Sequence, residues 1–228
     1  MTILVLIIYF FYSSWLQDSY ALERMKMVEK QIKARGVVSE SVLNAMRTVP
    51  RHEFVPPDRA KYAYNDYPLA IGYGQTISQP YIVAYMTEAL NLEKEDVILE
   101  VGTGSGYQAA VLAELVKEVH TIEIIRPLGE RAKVTLSALG YKNVHVYIGD
   151  GYNGIKSKAP FDAIMVTAGA EKVPPPLIEQ LNEGGRMIIP VGTVNDVQYL
   201  LLIKKNKGKI TRKTLLPVRF VPFTREKE

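Results

Sequence analysis

The sequence predicts an α/β fold with a mostly parallel central sheet, helices on both faces and an antiparallel hairpin at the C-terminal end. Short apolar runs typical of buried strands lie at residues 97–99, 120–122, 144–147 and 161–166. Segments with helical character separate them, at residues 108–115, 127–139 and 174–181. This alternation favours parallel strands with right-handed crossovers. Two later apolar runs flank a basic turn and predict the hairpin, at residues 197–203 and 210–220.

The segment before the sheet is predicted to be helical and to fold with it. Residues 22–34 carry apolar side chains at helical spacing, and Ser39 is a candidate N-cap for a second helix. The Pro- and Tyr-rich stretch at residues 50–69 indicates an ordered loop rather than a linker. A glycine-hinged segment, so called for Gly72 and Gly74, covers residues 71–80 and is followed by a predicted amphipathic helix at residues 81–90.

The bulk composition favours one globular domain. Of 228 residues, 47% are hydrophobic and 23% charged, which is ordinary for a single domain with a full core. The net charge is +4, and six cationic side chains fall within residues 204–213. We interpret this basic run as a solvated turn, with a nucleic-acid patch as the alternative. The chain has no Cys, which excludes disulfides, and its three His are too far apart for a local metal motif.

Residues 1–20 are predicted to be an apolar leader outside the fold. Residues 3–12 are an unbroken apolar run, shorter than the roughly 20 residues that a membrane span needs. The run resembles a signal-peptide core with a cleavage site at residues 19–21, although no Lys or Arg precedes it. A signal or anchor, an interfacial helix and a non-native leader from a misassigned start stay open. One domain is predicted over residues 21–228, with its N-terminal helical part at residues 21–92.

Residues 97–110 organise the chain, because a strand runs directly into a glycine turn and a helix start. Gly102, Gly104 and Gly106 allow a tight turn and a close approach of the backbone to a ligand, since no Cβ intervenes. We expect unpaired N–H groups at this helix start to point at a nucleotide-type ligand. A plain tight turn is the alternative for the glycines taken alone.

The residues around the turn favour S-adenosylmethionine over a dinucleotide. Tyr107 occupies the position of the last glycine in the dinucleotide fingerprint G-x-G-x-x-G. Glu100, just before the first glycine, suits a sulfonium and an ammonium better than a pyrophosphate. Glu123 ends the next strand, at about the 20-residue spacing at which an acid meets ribose hydroxyls, and Asp150 ends the third. Because parallel strands deliver their carboxyl ends to one edge, these acids and Thr167 are expected to converge there.

Seven segments in order make the chain resemble the protein-L-isoaspartate (D-aspartate) O-methyltransferase family over residues 23–224. They are V-P-R-H-E-F-V-P at 49–56, G-Y-G-Q-T-I-S-Q-P at 72–80, L-E-V-G-T-G-S-G-Y at 99–107, G-D-G at 149–151, A-P-F-D-A-I at 159–164, L-N-E-G-G-R-M-I-I-P-V-G at 181–192 and V-R-F-V-P-F-T at 218–224. The glycine turn is shared by many methyltransferases. The G-Q-T-I-S-Q-P segment is specific to this family.

The resemblance implies a Rossmann-like methyltransferase fold and a protein-repair reaction. S-adenosylmethionine would give its methyl group to the carboxylate of L-isoaspartyl and D-aspartyl residues and leave as S-adenosylhomocysteine, without a metal. The ester would collapse to a succinimide, whose hydrolysis returns some normal aspartate. The implied partners are isoaspartyl peptides and proteins, and we expect no nucleic acid. A cytoplasmic monomer is expected, with a form anchored or exported through residues 1–20 as the alternative.

By the family pattern, Ser78 is the active-site residue, with Thr76, Ile77 and Tyr81 beside it on the substrate side. Tyr81 departs from the pattern, because the family commonly has His there. The implied cofactor contacts are Glu100, Gly102, Thr103, Gly104, Ser105, Gly106, Glu123, Gly149, Asp150 and Thr224. For Ser78 taken alone, a helix N-cap is the alternative role. For Glu123 and Asp150, the alternative is a turn or cap carboxylate.

Two other functions compete with protein repair. One is a related methyltransferase that acts on a nucleic acid or a small molecule. Enzymes that methylate base amino groups tend to carry Asn/Asp-Pro-Pro-aromatic after the fourth strand, where this chain has T-A-G-A at residues 167–170. The other is a binding module without turnover, which leaves residues 75–78 without a role.

Overall fold

The computed structural model describes residues 19–193 and 196–225. Within this range a seven-stranded sheet follows a short two-stranded hairpin along the chain. The hairpin strands are β1 Leu69–Gly72 and β2 Gln75–Ile77. The sheet strands are β3 Val97–Val101, β4 Glu118–Glu123, β5 Val144–Ile148, β6 Phe161–Val166, β7 Leu181–Val191, β8 Gln198–Asn206 and β9 Lys209–Val218.

The sheet has the spatial order β5-β4-β3-β6-β7-β8-β9. Pairs among β3 to β7 are parallel, whereas β8 pairs antiparallel with both β7 and β9. The predicted fold class, a mostly parallel sheet with an antiparallel hairpin at the C-terminal end, is therefore confirmed.

The α-helices from residue 80 onward lie within two residues of their predicted bounds, whereas the first, predicted over residues 22–34, ends as an α-helix at Met27. Among the described residues the α-helices are α1 Ala21–Met27, α2 Glu40–Thr48, α3 Pro80–Ala89, α4 Tyr107–Ala113, α5 Arg126–Ala138 and α6 Pro175–Glu179. The helices α4, α5 and α6 each connect two parallel strands, as such crossovers require.

Two apolar clusters bury the sheet on its two faces. Along β3, Ile98 belongs to one cluster and Leu99 and Val101 to the other, because successive side chains of a strand point to opposite faces. Met46 of α2 packs in the first cluster and Leu177 of α6 in the second. A strand buried on both faces is apolar throughout, which is why the sequence signal at residues 97–99 is clear.

The N-terminal helix is less regular than its spacing predicts. Helix α1 continues as a π-helical turn at Val28–Ile32 and a 3₁₀ turn at Lys33–Arg35. Ser39 precedes α2, but its side chain does not cap that helix. Instead, Oε1 of Glu88 accepts hydrogen bonds from the N–H groups of Val38 and Ser39, at 2.7 and 2.6 Å. Ser39 occupies the N-cap position, but the side-chain cap predicted for it is wrong, because its hydroxyl lies 3.0 Å from that of Ser41 instead.

Residues 1–18, which hold most of the predicted apolar leader, lie outside the described residues. The boundary predicted after residue 20 leaves Tyr20 outside the domain. In the structure the centroid of its ring lies 4.5 Å from that of His52 and 5.9 Å from that of Tyr64, so Tyr20 packs with the domain. Within residues 19–193 and 196–225, no helix combines the length and the apolar character needed to span a membrane.

The glycine-hinged segment before α3 begins as a β-hairpin, which its sequence does not predict. Leu69 pairs with Ile77 and Gly72 with Gln75. Tyr73 lies in the two-residue turn with φ at +54°, in the left-handed region that non-glycine residues rarely adopt.

The basic run at residues 204–213 forms the turn and flanking strand ends of the β8–β9 hairpin, as predicted. Lys207 and Gly208 make the turn with φ at 50° and 71°. Lys204 pairs with Thr211 across the strands and is exposed, whereas Nζ of Lys205 donates to the carbonyl of Leu181 at 2.7 Å.

Candidate functional site

A cleft of about 770 Å³ opens at the carboxyl edge of the parallel strands, where α/β sheets bind ligands. Residues that follow β3, β4 and β6 form part of its wall, among them Gly102, Glu123 and Thr167. The β1–β2 hairpin contributes residues 75–78, and the C-terminal segment contributes residues 221–224. Other lining residues are Val83, Val101, Tyr107, Gln108, Ile122, Gly151 and Ala168.

The C-terminal wall is attached to the loop after β6. The N–H of Gly169 donates to the carbonyl of Val221 at 2.8 Å, and the N–H of Phe223 donates to the carbonyl of Gly169 at 2.9 Å. These backbone bonds hold Thr224 beside the cleft, although it lies more than 50 residues along the chain from that loop.

The glycine turn has the backbone conformation that its sequence predicts, with φ between 53° and 101° at its three glycines. A Cβ at Gly102 would collide with Oγ1 of Thr167. The N–H groups of the three glycines donate within the protein, at 2.8–2.9 Å, to the Ile122 carbonyl, the Glu123 carboxylate and the Thr103 carbonyl. The N–H groups of these three glycines are therefore not free to bind a phosphate, which depends on such donors. The expectation that unpaired N–H groups at the start of α4 point at the ligand stays a prediction.

Glu123 is fixed at the end of β4 by two backbone N–H groups. Its Oε2 accepts from Gly104 at 2.8 Å and its Oε1 from Ile125 at 2.9 Å. The residue is 5% exposed and lines the cleft. Each carboxylate oxygen has two lone pairs, so each keeps capacity to accept one more hydrogen bond, for example from a ribose hydroxyl.

Glu100 is buried behind the cleft rather than placed on its wall. Its Oε2 accepts from Oγ1 of Thr121 at 2.5 Å, and its Oε1 has no hydrogen-bond partner among the described residues. Oγ1 of Thr121 lies 2.6 Å from Oγ1 of Thr103, which lines the cleft. Burial raises the pKa of Glu100 to about 8, against the opposing effect of the Thr121 hydrogen bond. In this arrangement Glu100 reaches the cleft only through the two threonines.

Asp150 is also set back, although its neighbour Gly151 lines the cleft. Its Oδ1 accepts from the N–H of Tyr152 at 3.0 Å and caps the turn that follows, as the alternative role for this residue expects. Its Oδ2 accepts from Nε of Arg225 at 2.7 Å, and the Arg225 guanidinium lies 3.7 Å from the centroid of the Tyr152 ring. Asp150 therefore anchors the segment that carries Thr224 into the cleft.

Ser78 lines the cleft just after β2. Helix α3 has Gln79 at its N-cap position and no side-chain cap, so the helix-cap alternative for Ser78 is wrong. We find no partner for the Ser78 hydroxyl among the described residues, whereas its carbonyl accepts from Nη2 of Arg51 at 2.7 Å. The hydroxyl is therefore available to a ligand.

Tyr81, predicted on the substrate side, does not line the cleft. It is 8% exposed and belongs to the apolar cluster around α2 and α3. The Arg35 guanidinium lies 3.5 Å from the centroid of its ring and is paired with Asp66 at 2.8 Å. The structure therefore places the Tyr81 ring in the apolar core beside Arg35 rather than on the wall of the cleft.

Most of the predicted site residues meet in the cleft. Those that line it are Thr76, Ile77, Ser78, Gly102, Thr103, Gly104, Ser105, Glu123 and Thr224. Those that do not are Tyr81, Glu100, Gly106, Gly149 and Asp150.

Four polar or aromatic lining residues were missed by the sequence-based assignment, namely Gln75, Tyr107, Gln108 and Phe223. Gln75 and Phe223 fall inside the segments at 72–80 and 218–224, so the family resemblance could have identified both as site residues. Gln108 donates to Oγ1 of Thr87 at 3.0 Å and gave no signal, because one amide on a helix is typical of a surface residue.

His120 and His145 form a separate cluster on β4 and β5. Their rings are stacked with centroids 5.2 Å apart, and Nε2 of each lies near Oε1 of Glu118, at 3.3 and 2.9 Å. Burial lowers the pKa of His120. Across the described ranges, no three His, Asp or Glu side chains are arranged to hold a metal ion.

Comparisons with known proteins agree on one family. The family model described as "Protein-L-isoaspartate(D-aspartate) O-methyltransferase (PCMT)" matches residues 22–228. A protein-L-isoaspartate O-methyltransferase of Opitutus terrae is 62% identical over 205 residues, which cover 90% of this chain and 88% of that protein. One of Gloeobacter violaceus is 54% identical over 201 residues, which cover 88% and 98%.

A solved structure shows the same architecture. It is described as a "beta-aspartate methyltransferase (PCMT) from Plasmodium falciparum in complex with S-adenosyl-L-homocysteine". Its chain superposes with a TM-score of 0.78 at 27% identity, covering 89% of this chain and 99% of that one.

Proposed function

The chain belongs to the protein-L-isoaspartate (D-aspartate) O-methyltransferase family, and we propose on this premise that its cleft methylates the carboxylate of isoaspartyl residues. The methyl donor is S-adenosylmethionine. The neighbouring backbone amide nitrogen then attacks the ester and expels methanol to give a succinimide, whose hydrolysis returns part of the damaged chain to normal aspartate. The observation that carries the proposal is the 62% identity over 205 residues. Repair acts on isoaspartyl peptides and proteins, and it extends to D-aspartyl residues.

The cleft suits a cofactor with a ribose and no phosphate. Glu123 offers carboxylate oxygens beside the glycine turn, while the N–H groups of the turn glycines are already used within the protein. Val101, Ile122 and Phe223 supply apolar surface for an adenine ring. When bound, S-adenosylmethionine supplies an electrophilic methyl group on a sulfonium.

We assign the cofactor contacts to the turn, the strand ends and the C-terminal segment. Gly102 to Ser105 would face the cofactor through the backbone and small side chains, and Glu123 would accept from the ribose hydroxyls. Thr224 would contact it from the C-terminal wall. Asp150 acts by anchoring that wall through Arg225, and Glu100 acts through Thr121 and Thr103.

The substrate carboxylate is its own nucleophile, so the site needs no general base. An unperturbed carboxyl of this type titrates near pH 4 and is ionised at neutral pH. The described lining residues include no His, Lys or Arg, and Glu123 is the one carboxylate among them. Catalysis therefore rests on aligning the carboxylate oxygen with the methyl carbon and on excluding water. Such alignment can supply roughly 7–11 kcal/mol of the barrier.

Ser78 orients the carboxylate in this proposal. Its hydroxyl has no partner among the described residues and sits in the segment that enters the cleft from the β1–β2 hairpin. As a hydrogen-bond donor it would hold one carboxylate oxygen while the other reacts. Thr76 and Ile77 of the same segment flank the reacting group.

The enzyme is expected to act as a cytoplasmic monomer that does not bind nucleic acid. The exposed basic turn of the β8–β9 hairpin supports the last expectation. Lys204 pairs with Arg186, which pairs in turn with Ala163 near the amino end of β6, whereas the cleft lies at the carboxyl ends of the parallel strands. A basic surface at the opposite edge of the sheet cannot guide a nucleic acid into the cleft.

The decisive experiment uses two peptides that differ only in an aspartyl or isoaspartyl linkage, each incubated with labelled S-adenosylmethionine. We expect base-labile label on the isoaspartyl peptide alone. Equal labelling of both peptides, or of neither, would contradict the proposal. Transfer to RNA or to a small molecule under the same conditions would favour a related methyltransferase instead.

A further inference from the structure

Arg51 is a buried cation that holds two loops together. It has no exposed surface, although Arg is seldom fully buried. Its Nε donates to the carbonyl of Ala63 and its Nη2 to the carbonyl of Ser78, both at 2.7 Å. Its guanidinium lies 4.8 Å from the centroid of the Tyr107 ring. The third nitrogen, Nη1, is buried without a hydrogen-bond partner among the described residues.

Arg51 makes no ion pair within the described ranges; Asp66, whose charge acts on the pKa of Arg51, is itself paired with Arg35. Burial lowers the pKa of Arg51 to about 10, so the side chain stays protonated at neutral pH. A buried charge without a paired opposite charge is costly, and the cost falls when an anion approaches through a medium of low dielectric. Its surroundings therefore favour an anion nearby.

The position of Arg51 specifies where that anion would bind. Ser78 and Tyr107, which Arg51 contacts, both line the cleft. The described lining residues include no Lys, Arg or His of their own. Arg51 is thus a cation held immediately behind the wall that carries Ser78.

We propose that Arg51 is a positioning residue for methyl transfer, which fixes the Ser78 backbone and makes this end of the cleft selective for a carboxylate. The inference rests on the proposed function, because it takes the isoaspartyl carboxylate as the anion. The hydrogen bond to the Ser78 carbonyl holds the segment between β2 and α3 in place. The positive charge favours a carboxylate over a neutral group of the same shape.

The test compares Arg51→Met and Arg51→Lys with a matched control, Arg186→Met. Arg186 likewise donates to two carbonyls, those of Leu90 and Asn91 at 2.6 Å, but it lies at the amino edge of the sheet and also pairs with Asp96 at 2.7 Å. Its loss should lower stability without touching the cleft. The lysine variant keeps the positive charge but loses the planar guanidinium group that donates to two carbonyls.

Charge selectivity is measured with S-adenosylhomocysteine bound, so that no transfer occurs. The readout is the dissociation constant of an isoaspartyl peptide against that of the same peptide with an α-carboxamide in place of the α-carboxylate. We expect the preference for the carboxylate to fall roughly tenfold in Arg51→Met and to stay close to wild type in Arg51→Lys and Arg186→Met. Turnover number should fall in both Arg51 variants, because Ser78 is less firmly placed, and stay unchanged in Arg186→Met.

An unchanged carboxylate preference in Arg51→Met, with wild-type methylation intact, would overturn the inference and leave the proposed function standing. Failure of the wild type to methylate the isoaspartyl peptide would instead remove the proposed function. If Arg51→Met does not fold, the test rests on the turnover number of Arg51→Lys. A wild-type turnover number in that variant would show that Arg51 does not position Ser78.

Discussion

The N–H of Gly104 donates to Oε2 of Glu123 at 2.8 Å, and this bond joins the glycine turn after β3 to the end of β4. The other oxygen of the same carboxylate accepts from Ile125, just before α5. One side chain therefore sets the relative position of two loops that line the cleft. Any contribution of Glu123 to cofactor binding is therefore coupled to its contribution to the geometry of these loops, because both use the same carboxylate.

Replacing Glu123 by Ala should weaken cofactor binding and lower the melting temperature together. The change removes the acceptor for ribose hydroxyls and leaves the N–H groups of Gly104 and Ile125 without their partner. Loss of hydrogen bonds to a charged acceptor predicts a rise of roughly ten- to a hundredfold in the dissociation constant of S-adenosylhomocysteine. Calorimetric titration measures it, with Glu130→Ala on the exposed side of α5 as the control. Unchanged affinity in Glu123→Ala would mean that the ribose lies elsewhere.

Ser78→Ala should lower the turnover number by about one to two decades and leave the melting temperature within a degree or so of wild type. The hydroxyl caps no helix, so its loss costs the fold little. Steady-state kinetics and thermal unfolding on one preparation test both parts, with Ser41→Ala as a surface control. Wild-type turnover in the Ala variant would remove Ser78 from the reaction.

Glu100→Gln should make stability less dependent on pH. Burial raises the pKa of Glu100 from 4.5 to about 8, so between these values the folded protein holds a proton that the unfolded chain releases. Stability in the wild type should therefore fall as pH rises from 4.5 to about 8 and then level off. The neutral amide removes this effect. Melting temperatures at several pH values across this range would measure it, with the exposed Glu95→Gln as the control, and an equally steep decline in Glu100→Gln would contradict the assignment.

Tyr73→Asn should stabilise the hairpin by about 0.5–1 kcal/mol. Tyr73 has φ at +54°, a left-handed conformation that is strained for a non-glycine residue. Because 61% of its surface is exposed, little packing of the side chain offsets this strain. Asn adopts this conformation more readily. Chemical denaturation of the two proteins measures the difference. A loss of stability would show that the Tyr73 ring makes contacts that outweigh the strain.

Changing Lys204, Lys207 and Lys209 together to Gln should leave peptide methylation unchanged. Lys205 is left in place, because its ammonium donates to the carbonyl of Leu181 and supports the hairpin. The three chosen side chains are exposed at the edge of the sheet away from the cleft. If the wild type bound RNA with a steep salt dependence, and the triple variant did not, the basic turn would be a nucleic-acid site.

The main sheet is predictable from sequence because its central strands β3 and β6 are mostly apolar and its parallel strands alternate with helices. The hairpin at residues 69–77 is not, since its strands span four and three residues and the turn between them is Tyr73–Gly74, not one of the usual hairpin dipeptides. No period of two can be recognised over so short a length.

Depth along the strands limits the prediction of the site. Glu123 and Glu100 both lie near strand ends, yet the first lines the cleft and the second is buried behind it. Glu100 lies opposite Thr121 in the β3–β4 register, so Glu123 is on the same face of the sheet but two residues farther along, where β4 reaches the cleft. Arg51 could not be assigned from its sequence neighbours, since its role depends on contacts with Ala63 and Ser78, which are brought to it by the fold.

The C-terminal wall of the cleft sets the order in which the enzyme becomes competent during translation. Residues 221–224 pair with the loop at Gly169 only after the whole sheet has been synthesised. A nascent chain that has emerged only as far as β9 therefore lacks one wall of the cleft. That wall is complete only when Thr224 has been synthesised and Arg225 makes the bond to Asp150 that keeps the wall in place.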